Sequence, residues 1–224
     1  MYYDDRLMPF PPAGETSLRK LLHPGDSALT YGHVRLPHDL WPPWEAFGKA
    51  VIYQAIRDVQ RSAKTKSGKR LYWSPLGWRA THVRKCLHDP RQNLLWEVTH
   101  PRARWAGVDA LYGKEVTICR PLCELDLGAM RVEATRICED GFESVYDGLE
   151  LGSFLLSSLL GSHRKRILRF DRGKRYVCST GAAWIDVVGG KKFPDPFEWQ
   201  DIPPAYLACR PDEYAIYHVA KATP

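Results

Sequence analysis

THVRKCLHDPRQNLLWEVTH, residues 81–100, decides how the chain is read. Runs 81–87 and 93–98 have the character of strands, and HDPRQ between them is a turn. If Leu87 pairs with Leu94 in an antiparallel hairpin, His82 falls opposite Thr99. Same-face residues alternate by two, so Glu97 becomes a diagonal neighbour of His82, roughly 7–8 Å away at the backbone. A slip of one residue would send the two side chains to opposite faces. In the first register Glu97 can hold the imidazole in one tautomer, as the third member of a catalytic triad does. The alternatives are a solvated glutamate beside an edge histidine, or His100 as the orienting group.

Further elements surround this hairpin. GDSALTY (25–31) is a turn and a short strand with Ala28, Leu29 and Tyr31 to bury. VTICRP (116–121) is a strand stopped by Pro121, and 212–220 supplies a last strand. Helical spacing marks 45–62, through Phe47, Ala50, Val51, Ala55, Ile56 and Val59. It also marks 125–138, through Leu127, Met130, Val132, Ala134 and Ile137. A short buried helix is expected at 152–160. A second helix at 178–188 carries Ala182, Ala183, Ile185 and Val187 and ends at Gly189–Gly190. Segments 36–44, 65–70 and 163–176 are connectors. The fold class is α+β, with residues 1–22 as an N-terminal arm and 23–224 as a single domain.

The chain has 224 residues, of which 44% are hydrophobic and 26% charged, enough to bury a core and too apolar for disorder. The longest apolar block, 149–160, is broken by Glu150 and Gly152 and is too short to span a membrane. The opening MYYDDRLMPFPPAGE lacks the basic start and apolar middle of a secretory signal, so a cytoplasmic location is expected. There the six cysteines are expected as free thiols.

Cys178, in RYVCSTGAAWID, opens a helix. Unpaired amides at a helix start favour thiolate, the nucleophilic form, and can cradle an oxyanion. The alternative is a buried structural cysteine. Cys119 and Cys123 have half the spacing of a zinc site, but Cys86, His88 and Cys138 complete no recognisable set, so no metal is expected. The net charge is +6, and HRKRILRFDRGKRY (163–176) concentrates Lys and Arg. No stacking pattern or reading helix accompanies it, so nucleic acid is not an expected partner. Trp41, Trp44, Trp73 and Trp78 gather before His82, as packing or as an apolar wall beside the nucleophile.

The order of these pieces resembles the permuted papain-like hydrolases of the NlpC/P60 superfamily, in their YaeF/YiiX-like branch. The matching segments are HPGDSALT (23–30), ATHVRKCLHD (80–89), LLWEVTHPRAR (94–104), VTICRP (116–121), the Tyr146–Asp147 pair, YVCSTGAAW (176–184) and PPAYLACRP (203–211). The histidine precedes the cysteine, which is the permuted order. The resemblance implies an antiparallel sheet packed on the cysteine helix. It implies Cys178 as nucleophile, His82 as base and Glu97 as the orienting residue. It also implies hydrolysis or transfer at amide, ester or thioester bonds of a small-molecule, peptide or acyl-containing substrate, without a cofactor. Arg84 and Lys85 depart from the small and aliphatic residues usual after the histidine, and Thr180 stands where acidic or small residues are common. The competing reading is a catalytically inactive binding or assembly protein on the same fold, of phage or bacterial kind, using its basic surface.

Overall fold

The expected strands form one antiparallel sheet. In the computed structural model it comprises β1 (Ser27–Thr30), β2 (His82–Lys85), β3 (Leu95–Val98), β4 (Ala103–Ala106), β5 (Val116–Pro121) and β6 (Tyr214–Val219). Its order is β4-β3-β2-β1-β5-β6. Around it lie α1 (Leu18–Leu21), α2 (Pro75–Trp78), α3 (Leu127–Glu139), α4 (Cys178–Val188) and α5 (Pro204–Leu207). The structure describes residues 17–31, 72–99, 101–140, 176–194, 199 and 202–224, and positions 53, 54, 56–58, 60 and 61, which are helical. The expected loops at 36–44 and 65–70, the helix at 152–160, most of the helix at 45–62, His100, Trp41, Trp44, Tyr146 and Asp147 lie outside the described residues. So does the basic connector up to residue 175.

The hairpin takes the register expected for it: Arg84 sits opposite Glu97, and Lys85 opposite Trp96. Its turn is built by four residues in series. The Asp89 side chain accepts the Arg91 amide at 2.9 Å, Pro90 begins a 3-10 turn over Pro90–Gln92, and Asn93 leaves it at φ 58°. Asparagine is among the few residues that tolerate this left-handed conformation. β4, which extends the hairpin to a third strand, was not expected from the sequence. It pairs Glu97 with Arg104 and Trp96 with Trp105.

One face of the sheet carries Leu29, Val83, Cys119 and Ile216 toward Ala182 and Ala183 of α4. The other buries Ala28, Cys86, Leu95, Ile118 and Val219 against Leu18 and Leu22. Within 17–22, Leu18 and Leu22 are therefore anchored in the core while Arg19 and Lys20 face outward. The Leu18 amide donates to the Thr223 carbonyl at 3.0 Å, and Ser17 bridges Thr223 in parallel. In α3 the spacing holds for Met130, Ala134 and Ile137, but Val132 is 72% exposed, on the outer side of the helix. Among the described residues no helix is long and apolar enough to cross a membrane.

α4 spans Cys178–Val188, as its apolar spacing and the Gly189–Gly190 stop predict. It crosses β2 and β3 closely enough that a Cβ on Gly181 would stand 2.7 Å from Val98 Cγ2 and 3.1 Å from Trp96 Cη2. Lys85 fixes the contact from the strand side. Its Nζ lies 2.6 Å from Asp186 Oδ1, 2.7 Å from the Gly25 carbonyl and 3.0 Å from Ser27 Oγ. All three ammonium protons thus have acceptors, which is what permits full burial of the charge. Replacing Lys85 with Met leaves Asp186 buried and unpaired, so stability in urea denaturation should fall by about 3–5 kcal/mol. Lys85→Met combined with Asp186→Leu should recover most of that loss.

Candidate active site

His82 is the first residue of β2, and Val83 and Lys85 take the positions facing α4. The histidine therefore alternates away from the helix, and at the strand's end its ring meets the first turn of α4. Cys178 is the first residue of that turn, near enough for its sulfur to favour a protonated ring. The Cys178 Sγ also points at the Thr81 carbonyl, 3.9 Å away. The other side of the imidazole is occupied: Nε2 lies 2.8 Å from Glu97 Oε2. A proton on Nε2 donated to that carboxylate leaves Nδ1 as the basic nitrogen. The structure therefore pairs His82 with Glu97 and sets Cys178 near the same ring.

Glu97 is 1% exposed. Besides His82 it meets two arginines from the strands on either side. Arg84 Nε lies 2.7 Å from Oε2, as a charge contact without the alignment of a hydrogen bond. Arg104 Nε donates to Oε1 at 2.9 Å, and its Nη2 lies at 2.9 Å from the same oxygen as a charge contact. Burial pushes this carboxyl upward, but the His82 hydrogen bond and the charges of Arg84, His82 and Arg104 outweigh it and hold the pKa at about 2. Around His82 the balance runs similarly. Burial disfavours the charged ring, but the nearby Cys178 sulfur and the bond to Glu97 overcome that and raise the pKa above the ordinary imidazole value. Arg84 opposes the rise.

Thr180 has a structural explanation. Its Oγ1 accepts the Val177 amide at 3.1 Å, so the third helical residue reaches back to cap the helix that begins at Cys178. The amides at the start of α4 have no intrahelical carbonyl to bond, leaving donors beside the thiol. Asp26, the acid of the early Gly-Asp pair, stands at the other end of the sheet. It accepts Arg120 Nε and Nη2, both at 2.9 Å, and the His23 amide at 2.8 Å, so it secures a turn. Cys119, half of the conceivable zinc pair, is buried in the core and Cys123 is exposed. Of the tryptophans expected as an apolar wall, Trp73 is exposed and Trp78 stacks under the Arg61 guanidinium at 5.3 Å.

No protein-family model matches the chain, and no curated protein matches it. The permuted papain-like resemblance therefore rests on the motifs of the chain itself.

The sequence did not single out Arg84 and Arg104 as partners of Glu97. A signal for Arg84 was present, because the Leu87–Leu94 pairing that brings Glu97 near His82 also puts Arg84 directly across from it. Glu97 titrates lower in the folded protein than the ordinary carboxyl at 4.5, so its contribution to stability is complete above that value and is lost as pH falls toward about 2. Glu97→Gln should remove that acid-limb dependence, worth about 3 kcal/mol at neutral pH. Thermal unfolding of both proteins between pH 2 and roughly 6 checks it.

Proposed function

We propose that this protein is a cysteine hydrolase of the permuted papain-like type, cutting an amide, ester or thioester bond through an acyl-enzyme. The observation that carries the reading is the His82 ring, bonded through Nε2 to Glu97 at 2.8 Å and near Cys178 at the start of α4. In the reaction, His82 Nδ1 takes the Cys178 proton and the thiolate attacks the acyl carbon. First-turn amides of α4 receive the developing oxyanion. His82 returns the proton to the leaving amine, alcohol or thiol as the carbon–heteroatom bond breaks. Water, deprotonated by the same imidazole, then attacks the thioester, and the acid product leaves with Cys178 restored. A cytoplasmic setting, where thiols stay reduced, suits a chain whose six cysteines are all free.

The burial of Cys178, which is 6% exposed, favours the second reading: an inactive binding or assembly protein that keeps the fold. One measurement separates them. Limiting iodoacetamide at pH ~6.5 meets ordinary thiols that are only about 1% ionised. The hydrolase reading expects Cys178 to be labelled first among the six, and His82→Ala to slow it on the order of 100-fold, to the rate of an ordinary thiol. Mass spectrometry of the tryptic peptides locates the label. A Cys178 no more reactive than the rest would favour the binding protein. With an acyl substrate in hand, Cys178→Ala should abolish turnover with the fold intact, and Glu97→Gln should cost less than His82→Ala.

A further inference from the structure

Glu97 stands at the middle of a row that crosses three strands. Arg84 of β2 is directly opposite it on one side, and Arg104 of β4 directly opposite on the other. The two arginines divide the carboxylate between them. Arg104 donates through Nε to Oε1, with Nη2 at 2.9 Å as a charge contact, while Arg84 shares Oε2 with His82 Nε2. We propose that Arg84 and Arg104 are positioning residues that clamp Glu97 from both neighbouring strands, so that Oε2 stays aimed at Nε2 of His82 and Nδ1 stays aimed at the thiol. This rests on the Cys178–His82–Glu97 reading and adds to it what holds the orienting carboxylate in place.

The physical need for the clamp is clear. A carboxylate this deeply buried with one imidazole as its partner would tend to protonate, and a protonated Glu97 could offer His82 a hydrogen instead of accepting one. The ring would then be free to flip its tautomer, and the thiol would lose its base. Two guanidiniums in register remove that outcome. They also compensate the carboxylate's charge, so Glu97 orients the ring with its pull on the imidazolium partly offset by Arg84. Arginine suits this place because its planar fork can give one oxygen two donors, which lysine cannot do in fixed geometry. The side chain of Arg104 is 63% exposed, so it can be changed without opening the core.

The test uses the full chain and no substrate. Arg104→Met, Arg104→Lys, and the double variant Arg84→Met with Arg104→Met are compared with the wild type for the rate of iodoacetamide attack on Cys178 between pH ~4 and ~8. An opposite charge at this range lowers a carboxyl by about 1–3 units. Carbon NMR of the Glu97 carboxyl between pH ~2 and ~6 should therefore show its titration about one unit higher in Arg104→Met and about two higher in the double variant, with Cys178 labelling slowed at the low end of its own profile. Arg104→Lys should restore the profile only in part. Nitrogen NMR of His82 supplies a readout that a purely structural role would leave unmoved. The wild type should show the proton on Nε2, and the double variant a mixture of tautomers. If the arginine variants match the wild type in profile and tautomer while His82→Ala still slows Cys178, the clamp is overturned and the triad stands. If His82→Ala changes nothing, the triad falls and the clamp with it.

Discussion

The buried pair of Lys85 and Asp186 is the constraint on which the rest of the structure depends. It joins the strand that carries His82 to the helix that carries Cys178, at 2.6 Å and buried from water. From that point the two elements run toward the same end of the molecule. His82 lies three strand steps away, roughly 10 Å. Cys178 lies eight helical steps away, about 12 Å. The thiol and the imidazole thus meet at the far end of two arms of similar length hinged at one ion pair. A tilt of about 5° at the hinge would move the Cys178 thiol by about 1 Å, enough to change its distance to the imidazole appreciably. The close seating of Gly181 on Val98 and Trp96 resists such a tilt partway along the helix.

Much of this was legible in the residues. The hairpin register followed from one pairing of leucines, and the diagonal relation of His82 to Glu97 came with it. The limits of α4 followed from its apolar spacing and the two glycines that end it. What was not legible was long-range. Lys85 and Asp186 are 101 residues apart, and nothing local announces that a basic strand residue will find an acid on a distant helix. Arg84 and Lys85 therefore looked out of place for a strand of this type, yet one meets the orienting carboxylate and the other secures the helix. Thr180 looked equally out of place and is a cap. Val132 shows the opposite error, an apolar residue at nearly the right spacing that points outward.

Charge in this protein is handled by local pairing rather than dilution. Glu97, Asp186 and Asp26 are all buried, and each is met by at least one cation from another element. Each pair ties two pieces of chain across the sheet or onto its face. The carboxylate at the candidate site differs in having three cationic or potentially cationic neighbours, which makes that corner of the molecule locally positive.

The bridge between Ser17 and Thr223 has a consequence for evolution. It places the two extremes of the described fold side by side, with α1 and the residues after β6 pressed into the same apolar cluster. A fold whose first and last elements touch can be joined there and opened in a surface turn elsewhere while its contacts remain the same. Gene rearrangement can then change the order in which elements leave the ribosome without changing which side chains meet. In such an architecture, the order in which His82 and Cys178 are synthesised is separable from the packing that brings their elements together.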